Sequence, residues 1–376
     1  GAGKGNVAVT GTLDLNGFSE TINGLSGAGS VDTVAGGTPT LTVGGNNATS
    51  VFTGVIRNTL GTLALTKAGT GTLTLSGANS YSGDTTVGAG TLKLGAAGVV
   101  PDGVGKGNVA VTGTLDLNGF NETINGLGGA GTVDSLSGGT PTLTVGNNNA
   151  TSVFTGVIQN TAGTLALNKT GTGTLTLSGA NSYSGDTTVA VGTLKLGATG
   201  VLADGAGKGN VAVAGTLDLN GFNETINGLS GAGTVDTTAV AGNATLTAGG
   251  NNSTSIFTGV IRNSAGTLAL TKTGSGTLTL SGANSYSGDT TVAAGTLQLG
   301  ANDALPDGVG KGNVAVAGTL DLNGFSETIN GLTGAGTVDT VSGGTSALTV
   351  GANNATSSFT GVIQNTAGTL ALNKTG

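Results

Sequence analysis

Apolar and polar residues alternate in short bursts along this chain. Thr72-Leu73-Thr74-Leu75 alternates hydroxyl and aliphatic side chains, as do Thr12-Leu13-Asp14-Leu15, Thr91-Leu92-Lys93-Leu94, Thr62-Leu63-Ala64-Leu65 and Thr40-Leu41-Thr42-Val43. Val7-Ala8-Val9 follows the same rule. A period of two places Leu or Val on one face of a strand and Thr, Asp, Lys or Ala on the other. Each burst is four to six residues long and closes on turn residues: Asn16-Gly17, Asn23-Gly24, Gly45-Asn46-Asn47, Ser82-Gly83-Asp84 or Pro101-Asp102-Gly103. No glycine-free stretch exceeds nine residues. Isolated helices shorter than ~12–15 residues are marginal, so the pattern predicts an all-β chain.

The bursts belong to a longer period. GNVAVTGTLDLNGF begins at Gly5 and returns at Gly107, then at Gly209 and Gly312 with Ala in place of the Thr after the second Val. GTLTLSGANSYSGDTTV begins at Gly71, Gly173 and Gly276. The repeat is about 102 residues, which marks a modular array rather than one globule. It divides the chain into units 1–104, 105–206, 207–309 and a truncated 310–376, read as one continuous solenoid. About ten strands are expected in each unit. The phrase G-T-(Leu/Val)-x-Leu also recurs inside a unit, at Gly61, Gly71, Gly90 and Gly113. That inner recurrence favours a right-handed parallel β-helix (β-solenoid) over a sandwich or propeller. With ~20–25 residues per coil, a unit holds four to five coils, inward Leu, Val, Ile and Phe filling a narrow core. A single coil is not expected to fold alone; stacking supplies its ladder bonds and its second core face.

Composition narrows the function. Glycine supplies 76 of 376 residues without a three-residue period, and prolines are few, so collagen is excluded. Charged residues are only 8%, with a net charge of −7, a poor basis for nucleic-acid or anionic-membrane binding. No stretch reads as a membrane-spanning helix or a signal peptide. Both ends fall within the repeat, so the sequence reads as a window cut from a longer protein. There is no Cys or His, which removes disulfides, thiolate metal sites and an imidazole base.

The segment Gly71–Gly95 resembles the autotransporter-associated β-strand repeat of bacterial type V secreted proteins. The likeness lies in a G-T-L-x-L-x-G strand, an A-N-x-Y turn, a G-x-T-T-V strand and a closing G-T-L-x-L-G, repeated at Gly173–Gly197 and Gly276–Gly300. Asp84, Asp186 and Asp289 stand where the family often has a small residue. The resemblance implies a right-handed β-helical passenger, exported through an outer-membrane β-barrel that lies outside this window, and hence a cell-surface or extracellular site in a Gram-negative-type bacterium.

Candidate chemistry is sparse. Some β-helix enzymes cleave polysaccharides with clustered Asp. Here Asp14, Glu20 and Asp32 recur as Asp116, Glu122 and Asp134, as Asp218, Glu224 and Asp236, and as Asp321, Glu327 and Asp339. Each unit would then be its own enzyme, and the bland reading, a solvated strand face or turn, is preferred. Asp102, Asp204 and Asp307 sit in D-G-x-G-K-G-N segments that superficially suggest calcium; a plain Asp-Gly turn is expected. Gly103–Gly107 opens no helix and is not read as a phosphate cradle. The Asn47-Ala48-Thr49 sequon is coincidental in a bacterial protein. Outward Thr pairs such as Thr72 and Thr74 offer a hydroxyl face for glycans or ice, though Thr is also an ordinary exposed strand residue. Phe18, Phe52 and Tyr81 are expected to be buried or to cap coils, while Asn16, Asn23 and Asn79 are expected to bond along turns between coils. No catalytic, cofactor or metal residue is assigned. The reading is a structural, non-enzymatic segment: an adhesin shaft, spacer or matrix fibre. Neighbouring copies are its possible partners, end to end or laterally, with a surface glycan or receptor as the alternative and no nucleic acid. A polysaccharide-degrading enzyme is the weaker third option.

Overall fold

The structure is a computed structural model, and it describes residues 5–376. Gly1–Lys4, read above as already inside a repeat, lie outside the described residues. The described chain contains strands and turns and no helix. Each complete repeat holds twelve strands of two to six residues, slightly more and shorter than the sequence pattern predicts. Every strand pairing is parallel, as a solenoid requires. The chain divides into two compact units, 1–185 and 186–376.

In the first unit the strands stack on three faces. One face runs through Ser50–Phe52, Thr72–Leu75, Thr91–Leu94, Thr114–Asp116, Thr132–Asp134 and Val157–Ile158. A second runs through Glu20–Ile22, Thr40–Val43, Ala64–Lys67, Thr85–Val87, Val109–Val111 and Leu127–Gly128. The third begins with Thr12–Asp14, Ser30–Asp32 and Val55–Ile56 and resumes with Glu122–Ile124, Thr142–Val145 and Ala166–Lys169. Its two irregular levels, at Asn79 and Val99, are bridged by side chains. Asn79 Oδ1 accepts from Ile56 N at 2.8 Å, and its Nδ2 donates to Val99 O at 2.8 Å. The side-chain amide thus stands in for a backbone peptide where the ladder lapses. The second unit repeats these features: Asn284 accepts from Ile261 N and donates to Ala304 O, both at 2.7 Å.

The register keeps like residues in line. Leu73 pairs with Leu92, Leu92 with Leu115, and Leu115 with Val133; all are buried. Leu41, Leu65 and Thr85 form a second inward row. Phe52, Phe154 and Phe257 and the tyrosines Tyr81, Tyr183 and Tyr286 are fully buried, with Tyr81 Oη 2.6 Å from Thr85 Oγ1. Turns exploit left-handed backbone at Asn16, Asn118, Asn220 and Asn323, each followed by Gly, with φ of 47–51°. Asn tolerates that conformation because its short amide bonds locally.

Twelve strands plus two irregular levels make fourteen positions per repeat on three faces. Fourteen is not a multiple of three, so a coil takes about 22 residues and a repeat ends two-thirds of the way round a coil. Equivalent strands therefore change face. In the first unit Thr12–Asp14 and its counterpart Thr114–Asp116 lie in different sheets, as do Glu20–Ile22 and Glu122–Ile124. The second unit shows the same step between Thr216–Asp218 and Thr319–Asp321.

Candidate functional site: interior latches and outward rows

Of the acidic residues considered for catalysis and expected on a solvated strand face or turn, Asp14 and Glu20 are exposed, while the others are buried, which corrects the solvated part of that reading. Asp32 is buried and accepts three hydrogen bonds at 2.8 Å, from Arg57 Nε, Thr59 N and Thr59 Oγ1, all one coil further along. Asp134 is held in the same way by Gln159 and Thr161, Asp236 by Arg262 and Ser264, and Asp339 by Gln364 and Thr366. Burial pushes the Asp32 carboxyl up, but the bonds from Thr59 and Arg57 outweigh it and hold it below its ordinary value. Asp339 behaves likewise through Gln364 and Thr366. Asp14, Asp116, Asp218 and Asp321 each cap the following turn, accepting from the N–H of Asn16, Asn118, Asn220 and Asn323 at 2.8–2.9 Å. Lys93 and Lys195 lie 3.8 and 3.3 Å from Asp116 and Asp218.

The glutamates of the three later sets are also buried. Glu122, Glu224 and Glu327 are buried; Glu20, in the first described coil, is exposed. Glu122 accepts from Val99 N at 3.1 Å and Val100 N at 3.2 Å, one to each oxygen. Glu224 takes Val201 and Leu202, and Glu327 takes Ala304 and Leu305. Burial raises these carboxyls to about 8, 7 and 8 respectively, against the opposing pull of the backbone amides.

A second buried charge went unnoticed in the sequence. Lys67, Lys169 and Lys272 are fully buried. Lys67 Nζ donates to Ala68 O at 2.6 Å, Gly69 O at 2.7 Å and Ala89 O at 3.2 Å. Lys272 contacts Thr273 O, Gly274 O and Ala294 O in the same arrangement. Burial lowers the pKa of all three ammonium groups. The signal was present: Leu63, Leu65 and Lys67 fall on one phase of the alternation.

The loops that hinted at calcium are tied by asparagine. Asn125 Nδ2 donates to the carbonyls of Gly103, Lys106 and Gly107 at 2.9–3.0 Å, and its Oδ1 accepts from Gly103 N at 2.8 Å. Asn227 and Asn330 repeat the pattern. Asp102 accepts from Asn147 Nδ2. Among the described residues no group of three or more His, Cys, Asp or Glu is placed to hold a metal ion.

What remains outside is mostly hydroxyl-bearing or small, with scattered exposed charges such as Arg57, Asp84, Asp186 and Arg262. Thr72, Thr91, Thr114 and Thr132 form one outward row, and Thr21, Thr42, Thr66 and Thr86 another that continues into Ala110 and Gly128. The second unit repeats them with Thr277, Thr296, Thr319 and Thr337. Most of these hydroxyls are half-buried. The companion row, Val51, Thr74, Lys93, Asp116 and Asp134, is mixed, so the threonines never form a two-column array. Phe18, expected to be buried or to cap a coil, is 71% exposed; its counterparts Phe120, Phe222 and Phe325 are half-buried. The residue ends an Asn-Gly turn, which throws the ring off the coil. Val104 and Val309 stand almost wholly exposed on the asparagine-tied loops.

A three-faced parallel solenoid with a sparsely charged exterior and internal polar latches defines a class: latched parallel β-solenoids. The passenger-associated-transport-repeat family matches residues 65–94, 167–196 and 270–299. The chain is similar to the adhesin BmaC autotransporter of Brucella suis biovar 1 (strain 1330), 37% identical over 329 residues, 85% of this chain and 9% of that protein. It is a repeat region of the autotransporter passenger family. It spans about a tenth of the length of the curated relative it matches. No solved structure matches significantly.

Proposed function

We propose that this segment is a structural shaft of a surface-displayed or secreted passenger, serving as an adhesin stalk, spacer or matrix fibre and carrying no enzymatic activity. Its four repeats run as one continuous right-handed solenoid, and the outer-membrane barrel that exports it lies elsewhere in the full protein. One observation carries the reading. The acid of each set that might have served as nucleophile or base is spent on joining one coil to the next, as Asp32 and Glu122 illustrate. A carboxylate with its lone pairs so occupied is a poor base toward an external substrate.

The test is deletion of one complete 102-residue repeat from the full-length protein on cells, with a gold label at the passenger tip. At ~4.8 Å per coil the label should move toward the membrane by about 22 Å per repeat removed. An unchanged height sinks the shaft reading.

Binding of glycan, receptor or ice along the threonine rows is the second reading. The outward threonine rows favour it; the broken two-column array counts against an ordered lattice such as ice. Replacing Thr72, Thr91 and Thr114 with Arg should leave adhesion of whole cells unchanged if the shaft reading holds. Self-association, end to end through exposed strand edges, fits a fibre and would appear as filaments longer than one chain.

A further inference from the structure

Glu122, Glu224 and Glu327 share a geometry that goes beyond structural support. Each fills a backbone nest. A left-handed residue, Gly98 (φ 63°), Gly200 (φ 65°) or Asp303 (φ 49°), precedes the two amides that point at the carboxyl. Such nests are anion cradles. Here the occupant comes from the next coil of the same chain. It arrives at a level where no strand ladder exists, that of Val99 on the third face in the first unit. The loop is thus fastened by this plug and by the asparagine three residues on, rather than by strand pairing.

The charged surroundings are one-sided. Asp102 in the loop and Tyr81 from the preceding coil face Glu122. Asp303, Asp307 and Tyr286 face Glu327, and Asp204 faces Glu224. None of the ion pairs among the described residues includes these glutamates. The nearby lysines Lys106 and Lys311 turn their ammonium groups to the carbonyls of Ser80 and Ser285.

We propose that the glutamate plug is a pH-responsive fastener, and that segments 95–108, 197–210 and 300–313 open locally from the solenoid as it loses its proton to water, while the strands stay closed. A neutral carboxyl can still accept from both amides. An anion in the same place is desolvated beside a second carboxylate. The closed form therefore holds the proton more tightly than the open form, whose glutamate has its ordinary value of 4.5. The fastening is at full strength below about pH 4.5 and weakens as pH rises through the closed-form value.

The test is peptide-resolved hydrogen exchange of the intact chain between pH 5 and 9, corrected for intrinsic exchange. Opening of segments 95–108 and 300–313 should rise by about tenfold per pH unit and flatten near pH 8; segment 197–210 should flatten near 7. Strands Thr72–Leu75 and Thr277–Leu280 should not respond. The combined variant Glu122→Gln, Glu224→Gln, Glu327→Gln should lose the slope. Asp102→Asn leaves the plug intact and should move the flattening point of segment 95–108 alone to lower pH. A slope that survives the glutamine variant, or loops that track the strands at every pH, overturns the proposal. Should the glutamine variant fail to fold, an unshifted profile in Asp102→Asn overturns it as well.

Discussion

Lys67 and Glu122 solve one problem with opposite charges. At the lysine corner the turn leaves carbonyls pointing inward, and a single ammonium collects those of Ala68, Gly69 and Ala89. At the glutamate corner two amides point inward, and a single carboxyl collects Val99 and Val100. Neither charge has an ionic partner in these contacts. Oriented peptide dipoles face both groups, several carbonyls at the ammonium and two amides at the carboxyl. The difference lies in direction and in titration. The lysine ties its own turn to the following coil, while the glutamate reaches back to the preceding one. The ammonium starts from 10.5 and shifts downward; the carboxyl is carried from 4.5 to about 8. The carbonyl-lined corner therefore holds a group whose pKa burial lowers, and the amide-lined corner one that burial raises close to neutral pH.

Breaking the lysine corner should have the largest effect. Lys67→Ala orphans three part-buried carbonyls and opens a cavity, so local stability of strand Ala64–Lys67 should fall by about 2–5 kcal/mol, read as exchange protection. Next comes Glu122→Ala, which orphans two amides and should cost about 1–3 kcal/mol at pH 5. The comparison sharpens with pH. The glutamate effect should shrink as pH rises toward 8, because the closed-form carboxyl loses its advantage over that range. Arg57→Gln should change stability by less than about 1 kcal/mol, since the exposed guanidinium contributes as a surface pair does and Gln159 already serves Asp134 in its place. Smallest is Thr72→Ala on the outward row, within about 0.5 kcal/mol in the same assay.

Much of this fold is readable from the alternation. Leu73, Leu75, Leu92 and Leu94 point inward as the period of two requires, and the recurrence of G-T-L-x-L predicts their stacking in register. Asn79 was read as bonding between coils, and it does. The buried charges were not read, although Lys67 and Glu122 sit on the inward phase beside Leu65 and Ile124. Residue type overrode phase: Lys and Glu are almost never fully buried unless paired, and their partners here are backbone groups that no sequence displays. Phe18 failed in the opposite sense, its aromatic character suggesting burial where turn geometry sends it out. The change of face between repeats was also invisible, because it depends on counting Asn79 and Val99 as levels although neither lies in a strand.

That face change couples heading to length. Recombination between two copies would add or remove whole repeats with every coil still in register, so the core would not register the event. Within a unit, one repeat more or less would nonetheless move each following strand to a different face. A population varying in repeat number would thus vary in the face on which a given loop is presented, with no change to any residue that holds the coils together.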